Sequence, residues 1–358
     1  MLLPCLIGGG AENVAIDIVS GIPKESIIFS ICCLKEVKPE YLYLKKELRQ
    51  KGIMVETLTH QKTIGIRCFF KLVLYLRKER PDLVHTHLFG ADVLGALACR
   101  LVGIKTIIST EHNLNFTEGA LKKIAKRVSA FLRTMTVAVS KTVLDYAVKH
   151  EGVLRRKSMV IYNGVKLQPS PLDQFHDDHK PSNLVVGAIG RLVQQKNFSA
   201  LIAAFRYLKI GALTCRIAGE GEDKKILEKM IKTYGLEKKI KLLGWQKNPE
   251  EFFDTIDIVV ISSLWEGHPL VLLEAGVHKL PVIAARIPSI MEIVEDGEDV
   301  LLYTDEVDLA TKLDSLSCDS ELRQKLGKNL HEKVERNFSL SRMIHNYEKL
   351  YLQVYENN

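Results

Sequence analysis

The sequence predicts an α/β protein in which two Rossmann-like domains, each a doubly wound parallel sheet, face a central cleft. Short β-rich runs alternate with stretches of helical period along nearly the whole chain, and such alternation is typical of parallel sheets with helical crossovers. The 358 residues are enough for two domains with separate cores. Composition changes once, at residues 166–182, where three prolines and little periodicity predict a linker. Folds of this kind bind ligands at the carboxyl ends of their strands, here in the cleft.

The first alternating series, residues 1–165, predicts the N-terminal domain. Its predicted strands are Ser26–Cys33, Met54–Leu58, Leu83–Thr86, Lys105–Thr110, Met135–Val139 and Met159–Tyr162. Its predicted helices are Glu12–Ser20, Glu40–Lys51, Ile66–Arg80 and Gly90–Val102. Only Met1–Leu3 stands where the first strand of a doubly wound domain is normally found, and a usual strand has about five or six residues. We therefore expect the natural product to begin several residues upstream, and a true start at Met1 with a tolerated short strand is the alternative.

The second alternating series, residues 183–339, predicts the C-terminal domain. Its predicted strands are Leu184–Ile189, Thr214–Ala218, Ile240–Leu243, Ile258–Ser262 and Pro281–Ala284. Its predicted helices are Phe198–Leu208, Asp223–Tyr234, Pro249–Thr255 and Leu270–His278. The last residues, 340–358, are predicted to form a helix that completes the N-terminal domain.

The cations of the chain are concentrated in its first half. Residues 1–165 carry 25 Lys and Arg against 14 Asp and Glu, whereas the remainder carries 25 against 29. Such an excess suits an anionic surface, namely membrane phospholipid, a lipid-phosphate acceptor or nucleic acid, although a solvated basic surface would look the same. No apolar run approaches the roughly 20 residues of a membrane-spanning helix, and no basic leader of a signal peptide is present. Seven scattered cysteines without zinc spacing indicate free thiols in a reducing cytosol.

Residues 119–135 form a basic amphipathic stretch. Its cations are Lys122, Lys123, Lys126, Arg127 and Arg133, and its apolar residues are Leu121, Ile124, Val128, Phe131 and Leu132. The pattern suits a helix that lies on anionic lipid, and equally a helix packed on the sheet with a solvated basic side. On the first interpretation the protein is cytoplasmic and peripherally associated with the inner face of the membrane.

The segment from Glu266 to Glu274 carries the strongest functional signal. It follows an apolar strand and runs into an apolar helix, whose N-terminal N–H groups would attract an anion that Gly267 allows to approach closely. Pro269 suits the first helical turn, where a missing N–H costs nothing. Eight helical residues span about 12 Å, so one carboxylate could meet the sugar of a nucleotide sugar and the other its ribose. A helix-capping Glu266 and a structural ion pair at Glu274 are the alternative.

Two other segments that follow strands are candidates for ligand contact. Arg191 and Lys196 come after the strand Leu184–Ile189, where two cations can clamp a diphosphate and stabilise the charge of a leaving group. The run Gly8–Gly10 permits close approach of the backbone to a ligand. Because this run lacks the GxGxxG spacing, it does not predict a dinucleotide site, and a tight turn is the alternative.

Three histidines lie at predicted strand ends. His85 and His87 are two residues apart and share one face of their strand. A metal pair is conceivable, but no third ligand of matching spacing is evident, so no metal site is predicted. His112 ends the next strand and is expected to face the acceptor.

These motifs together resemble the retaining glycosyltransferase family 4, or glycosyl transferases group 1, over nearly the whole chain. Glu266 and Glu274, in SLWEGHPLVLLEAG, match the E-x7-E signature of that family. Further matches are GGGAE at 8–12, DLVHTH at 82–87, Ala138–Ser140, Asn163–Val165, Gly190–Lys196, Gly219–Gly221, Leu243–Gly244 and Pro288–Gly297. The resemblance implies catalytic roles for His87, Arg191, Lys196 and Glu266. It implies donor binding by Gly9, Gly10, Gly190, Arg191, Lys196, Glu266, Gly267, His268, Pro269, Leu270 and Glu274, and an acceptor side with Glu12 and His112.

The resemblance also implies the GT-B fold and a reaction. A sugar, hexosyl or N-acetylhexosaminyl, would pass with retention from a UDP-, GDP- or ADP-sugar to a hydroxyl of a glycan or lipid-linked acceptor, as in surface polysaccharide synthesis. No metal cofactor and no nucleic acid partner are expected, and no DxD triplet flanked by strands is present. The alternatives are a nucleotide-sugar epimerase, a phosphorylase, for which no lysine site of pyridoxal phosphate is apparent, and a non-catalytic binding protein. Base selectivity is expected near Leu243–Lys247.

Overall fold

The computed structural model describes residues 1–7, 9–37, 41–60, 64–114, 116, 119–167, 184–210 and 213–356. The chain divides into two compact units, of which the first is Met1–Gly164 with Leu340–Asn358 and the second is Val165–Ser339. The predicted linker at 166–182 lies almost entirely outside the described residues.

The first unit contains seven strands and seven helices within the described ranges. The strands are β1 (Leu2–Leu3), β2 (Ser30–Cys33), β3 (Met54–Thr57), β4 (Leu83–His87), β5 (Thr106–Glu111), β6 (Met135–Ala138) and β7 (Ser158–Val160). The helices are α1 (Gly10–Gly21), α2 (Leu42–Gln50), α3 (Ile66–Glu79), α4 (Phe89–Val102), α5 (Ala120–Leu132), α6 (Lys141–His150) and, from the end of the chain, α14 (Leu340–Glu356). The sheet order is β3-β2-β1-β4-β5-β6-β7 and every pair is parallel.

The first sheet is covered by apolar residues on both faces. One cluster includes Leu72 and Leu76 of α3, and another includes Ala15 and Val19 of α1. Strand β5 is buried along its whole length, as expected for a central strand of a doubly wound sheet. Helices therefore have to lie on both sides, and the carboxyl ends of β1, β4 and β5 meet at one edge.

Strand β2 starts later than the sequence predicts. The predicted strand began at Ser26, whereas β2 begins at Ser30. The N–H groups of Ser26 and Ile27 both donate to the carbonyl of Pro23 at 3.1 Å, so these residues form a turn and are not free to pair with a neighbouring strand.

The second unit contains six strands and seven helices within the described ranges. The strands are β8 (Val185–Ile189), β9 (Thr214–Ala218), β10 (Ile240–Gly244), β11 (Ile258–Ile261), β12 (Val282–Ala285) and β13 (Leu301–Tyr303). The helices are α7 (Phe198–Ala204), α8 (Lys224–Thr233), α9 (Pro249–Phe253), α10 (Leu270–Val277), α11 (Pro288–Met291), α12 (Glu306–Cys318) and α13 (Ser320–Asn337). The sheet is parallel, in the order β10-β9-β8-β11-β12-β13.

Helix α10 is apolar on nearly all sides, as expected for a helix that other parts of the fold enclose. A Cβ at Gly276 would lie 2.7 Å from the Val334 side chain of α13, and His331 of α13 contacts the Gly276 carbonyl at 2.9 Å. Helix α10 thus lies between the sheet and α13, and this packing fixes the position of Glu274.

The predicted fold class, two α/β domains with doubly wound parallel sheets, is confirmed by the two strand orders. In each unit the first strand lies centrally and the chain then extends the sheet on either side, which is the Rossmann-like order. None of the helices in the described ranges combines the length and the apolar character that crossing a bilayer requires.

Candidate active site

Three loops lie close together at the carboxyl edge of the second sheet. The N–H of Gly219, after β9, donates to the carbonyl of Gly244, the last residue of β10, at 2.8 Å. A Cβ at Gly219 would lie 1.8 Å from the Gly190 carbonyl oxygen, and one at Gly221 would lie 2.1 Å from that of Leu192. Gly219 also has φ of 143°, where side chains are rarely tolerated. The glycines are therefore required for the close packing of the loops, which holds the loop after β8 in place.

Lys196 and Glu266 form an ion pair that joins two of these loops. Lys196 ends a 3₁₀ turn after β8, and its Nζ lies 2.5 Å from Oε1 of Glu266. The Ser263 hydroxyl donates to the same oxygen at 2.6 Å, and the Ser262 hydroxyl donates to the Lys196 carbonyl at 2.7 Å. Glu266 is buried, so the pair is held in a defined position at the edge of the sheet.

The predicted helical spacing of the two glutamates is wrong. Helix α10 begins only at Leu270, and Pro269 is its N-cap residue rather than part of its first turn. Glu266 therefore lies in the irregular segment before the helix, and the estimate of about 12 Å from eight helical residues does not apply. The physical reason is the tie of Glu266 to Ser263 and Lys196, which holds this segment out of helical conformation.

Glu274 carries a carboxylate in an unfavourable environment. It lies in the middle of α10, where both sequence neighbours are buried. Burial raises the pKa of Glu274 to about 7, although the nearby charge of Lys196 acts in the opposite direction. The carboxylate is therefore partly protonated at neutral pH, and hydrogen-bond donors from a ligand would stabilise its ionised form.

The remaining predicted donor residues lie at the same edge. Arg191 directly follows Gly190 at the end of β8 and is exposed. Gly267 and His268 are buried in the segment before α10. His268 lies against the ring of Phe338 at 5.5 Å between centroids, and burial lowers its pKa to about 3, so it is neutral. The structure thus brings the predicted donor-binding residues of the second unit, 190–191, 196, 266–270 and 274, to one edge of one sheet.

His87 and His112 face each other at the carboxyl edge of the first sheet. Nδ1 of His87, the last residue of β4, lies 2.8 Å from Nε2 of His112, which follows β5. Nε2 of His87 lies 3.1 Å from Sδ of Met1. His87 is fully buried, whereas His112 is partly exposed. Burial lowers the pKa of both, that of His112 to about 4, so both rings are neutral at neutral pH.

His85 is fixed by helix α14. Its Nδ1 lies 2.6 Å from the Tyr351 hydroxyl and its Nε2 lies 2.8 Å from the Thr110 hydroxyl, which also contacts Tyr347. Its ring lies 4.2 Å from that of His87. Both ring nitrogens are therefore used in holding the helix and the sheet together. In the described part of the chain, no cluster of three His, Cys, Asp or Glu could hold a metal ion, and metal independence stays a prediction.

The glycine run and Glu12 lie at the start of α1. Gly8 falls outside the described residues, Gly9 is the N-cap residue and Gly10 begins the helix. Glu12 is buried, and a Cβ at Gly9 would lie 2.6 Å from its Oε2. The carboxylate of Glu12 therefore lies against the backbone of Gly9, at the N-terminus of α1.

The cations of the basic stretch at 119–135 divide between the inside and the outside of the fold. Lys126 and Arg133 are 2% exposed, and they pair with Glu151 and Glu111, each at 2.7 Å. Four large apolar side chains of α5 are exposed, beside the exposed cations Lys122 and Arg127. The four are Leu121, Ile124, Val128 and Phe131, with exposed fractions of 84%, 55%, 50% and 76%. The charge pattern alone could not reveal this division, because it depends on two distant glutamates.

Two family models match the chain one after the other. The model described as Glycosyltransferase Family 4 matches residues 8–169, and the model described as Glycosyl transferases group 1 matches residues 172–333. The two matches together span almost the whole sequence. The recognition of this family from the motifs is confirmed.

Glycosyltransferases with diphosphoundecaprenol-linked acceptors are among the relatives. The chain is 27% identical to an Escherichia coli UDP-Gal:α-D-GlcNAc-diphosphoundecaprenol α-1,3-galactosyltransferase, over 99% of this chain and 96% of that one. It is 25% identical to a Campylobacter jejuni α-1,4-N-acetyl-D-galactosaminyltransferase whose acceptor is a diphosphoundecaprenol-linked glycan, over 99% and 98%. Among solved structures, Anabaena HepE in complex with UDP-glucose matches with a TM-score of 0.83 at 23% identity, over 98% and 99%.

Proposed function

The chain belongs to glycosyltransferase family 4, and we propose that it transfers a hexose or N-acetylhexosamine from a UDP-sugar to a lipid-linked acceptor, with retention and without a metal. The Escherichia coli and Campylobacter jejuni relatives support a polyprenyl-diphosphate-linked acceptor, because their names state one. The solved relative with UDP-glucose supports uracil as the base of the donor. Surface polysaccharide synthesis is the process in which such an activity would serve.

The arrangement at the carboxyl edge of the second sheet carries this proposal. Lys196, Arg191 and the start of α10 would bind the diphosphate, and they would stabilise its negative charge as the glycosidic bond breaks. Glu266, held by Ser263 and Lys196, would accept hydrogen bonds from hydroxyls of the transferred sugar. Glu274 would accept those of the ribose. Cations and a helix N-terminus at one place supply the neutralisation for which other transferases use a divalent ion.

Transfer to defined acceptors tests the proposal. The protein would be incubated with UDP-, GDP- and ADP-sugars and with synthetic polyprenyl-diphosphate mono- and disaccharides, in the presence of EDTA. We expect a UDP-sugar to give a glycosylated product whose new linkage is α by NMR when the donor is α-linked. Lys196→Ala should lower the rate of product formation by about 10²-fold, and the matched surface variant Lys238→Ala, in the same unit and exposed, should not change it.

Each contrary result identifies the part of the proposal that is wrong. Inversion of the anomeric carbon would refute retention, and restoration of activity only by Mg²⁺ or Mn²⁺ would refute metal independence. Release of free modified sugar without any acceptor would indicate epimerase or hydrolase chemistry. Equal activity of the Lys196→Ala variant would remove the diphosphate role of that cation.

The outward face of α5 supports contact with an anionic membrane. The four outward side chains, Leu121, Ile124, Val128 and Phe131, form an apolar ridge along one side of the helix. Lys122, Lys123 and Arg127 lie on the same helix beside this ridge, and Lys122 and Arg127 are exposed. An apolar strip between cations is the composition of a helix that lies in the headgroup region of anionic lipid. A lipid-linked acceptor would be reached from such a surface.

Liposome sedimentation tests the membrane contact. The double variant Leu121→Ser with Phe131→Ser should lose binding to vesicles of phosphatidylglycerol and phosphatidylethanolamine. The control variant Ile226→Ser removes a side chain that is 62% exposed on α8 of the other unit, and it should bind as the wild type does. Loss of binding in the control alone would locate the membrane contact on the second unit.

A further inference from the structure

The turn that follows His87 has an unfavourable backbone conformation. His87 ends β4, and the next residue, Leu88, has φ of 69° and ψ of 152° where helix α4 begins. Residues other than glycine rarely adopt this conformation, and it persists only where the surrounding structure fixes it. Contacts around the turn therefore have to hold His87 in its position.

Asp92 holds both residues that flank His87 in the chain. Its N–H donates to the Leu88 carbonyl at 3.0 Å, and its Oδ1 accepts a hydrogen bond from the Thr86 hydroxyl at 2.6 Å. The same oxygen accepts one from the Ser109 hydroxyl of β5 at 2.7 Å. One residue of α4 thus joins the turn, the end of β4 and the neighbouring strand.

Helix α4 lies close to the sheet at this point. Gly95 is three residues after Asp92 and so lies on the same side of the helix. A Cβ at Gly95 would lie 2.9 Å from the Thr86 side chain and 2.6 Å from that of Leu2. Asp92 itself is 1% exposed, so water does not compete for its carboxylate. Hydrogen bonds to an ionised acceptor are roughly twice as strong as neutral ones, and the contacts of Asp92 are accordingly firm.

The charge of Asp92 is not explained by an ion pair. Burial raises the pKa of Asp92 to about 6, although the charge of Arg133 acts in the opposite direction. Arg133 is paired with Glu111 at 2.7 Å, and among the described residues no cation is paired with Asp92 itself. A buried carboxylate without a cation costs stability. Stability alone therefore does not account for Asp92, whereas its contacts on either side of His87 do.

We propose that Asp92 is a positioning residue of the transferase, which holds His87 in the orientation that the reaction requires by fixing both of its neighbours in the chain. The inference rests on the proposed function and on the catalytic role that the family resemblance implies for His87. Nδ1 of His87 lies 2.8 Å from Nε2 of His112, so a shift of the turn would displace both rings. A displacement of about 1 Å at a reacting centre can lower the rate by about 10²-fold.

Two substitutions of Asp92 separate positioning from stability. Asp92→Asn keeps an oxygen that can accept from both hydroxyls, and kcat/KM for the acceptor should stay within about fivefold of the wild type. Asp92→Ala removes that oxygen, and kcat/KM should fall roughly 10²-fold. The KM for the donor should change by less than about twofold in both, because the donor residues lie in the other unit. Equal losses in the two variants, or an Ala variant within about threefold of the wild type, would overturn the inference.

A matched control and a double variant test the route of the effect. The Thr134 hydroxyl joins two strands at the opposite edge of the same sheet, since it accepts from the Ile107 N–H at 3.0 Å and donates to the Lys105 carbonyl at 2.8 Å. Thr134→Ala should lower the midpoint of urea unfolding and leave kcat/KM for the acceptor unchanged; a loss as large as that of Asp92→Ala would assign the effect to stability.

The double variant follows the hydrogen bond to Thr86. Thr86→Val alone should lower kcat/KM for the acceptor by at least about tenfold. Its combination with Asp92→Ala should be no worse than Asp92→Ala by more than about threefold, because residues that act as one unit are not additive. Losses that multiply would show that Asp92 does not act through Thr86 and would refute the proposed route.

The histidine rings report their positions without any turnover. In ¹⁵N-histidine spectra, assigned by substitution of each histidine, the ring resonances of His87 and His112 should coincide with the wild type in Asp92→Asn and shift in Asp92→Ala. Unshifted rings in Asp92→Ala would contradict the inference even if the activity falls. If no acceptor is ever glycosylated while the rings shift as expected, the transferase proposal has failed and the positioning of His87 by Asp92 stands.

Discussion

Binding of the donor should depend on pH through Glu274. The pKa of this carboxyl is raised to about 7 by burial in the free protein. Two ribose hydroxyls that donate to the carboxylate would restore the lost solvation and lower the pKa towards the ordinary 4.5. Since the complex favours the ionised form, binding releases a proton, and the affinity must increase as the pH rises.

The size of the effect follows from the two pKa values. At pH 6 about one tenth of Glu274 is ionised and at pH 8 about nine tenths, so a UDP-sugar should bind roughly tenfold more tightly at pH 8 than at pH 6. Above pH 8 the affinity should level off. A shift of the Glu274 pKa from about 7 in the free protein to the ordinary 4.5 in the complex corresponds to about 3 kcal/mol of binding free energy.

Calorimetric titration measures both the affinity and the proton. In buffers of different ionisation enthalpy, binding at pH 7 should release about half a proton per UDP-sugar. The intact sugar nucleotide is the correct ligand, because the terminal phosphate of free UDP titrates near pH 6 and would add its own dependence. Glu274→Gln should bind more weakly and should lose the dependence on pH. A wild-type affinity that is flat from pH 6 to 8, or proton uptake on binding, would refute the ribose role of Glu274.

Three other predictions concern the charged residues. Arg191→Ala and Lys196→Ala should each lower kcat/KM by about 10²-fold, in steady-state assays in which EDTA leaves the wild type active; a loss below about threefold would contradict the leaving-group role. Replacement of the three flanking cations of α5 by Gln should weaken the free energy of binding to anionic vesicles, measured by sedimentation, by about 1 kcal/mol per charge. High salt should have the same effect on the wild type, and unchanged binding of the variant would contradict the prediction. Lys126→Met should destabilise the protein by about 3–5 kcal/mol in urea unfolding because it removes the cation that pairs with the buried carboxylate of Glu151 at 2.7 Å, whereas exposed Lys122→Met should change stability by no more than about 0.5 kcal/mol.

The parts of the fold that the sequence predicts well are those that depend on local pattern. Strands β8 and β9 are buried apolar runs bounded by turns, and the structure reproduces their predicted bounds within one residue at each end. Helix α6 was not predicted, although Ser140, whose hydroxyl accepts from the Val143 N–H at 3.1 Å, is a recognisable N-cap. Helices α12 and α13 were also absent from the prediction. Asp305 and Asp319 cap them in the same way, so this signal was present too.

The parts that the sequence could not predict depend on contacts between distant residues. The ion pair of Lys196 with Glu266 joins positions 70 residues apart, and it decides that the segment before α10 is not helical. The tyrosines of α14 reach His85 across 266 residues of sequence. A motif identifies such residues as candidates, but it does not indicate which of them form hydrogen bonds or ion pairs with one another. His85 is an example, since both of its ring nitrogens are engaged within the fold.

The polar groups of the two units differ in a way that follows from what each is proposed to bind. In the second unit the candidate residues are ionisable groups of opposite sign, since Lys196 pairs with Glu266 and its charge also acts on Glu274, which suits a diphosphate whose charge increases as the bond breaks. At the edge of the first unit the groups are imidazoles kept neutral by burial, and the charges of Glu111 and Arg133 are paired behind them. Neutral imidazoles can orient hydroxyls without attracting an anion. The acceptor would thus be selected by hydrogen-bond geometry, and its negative charge would be recognised elsewhere, at the cations that flank the apolar ridge of α5.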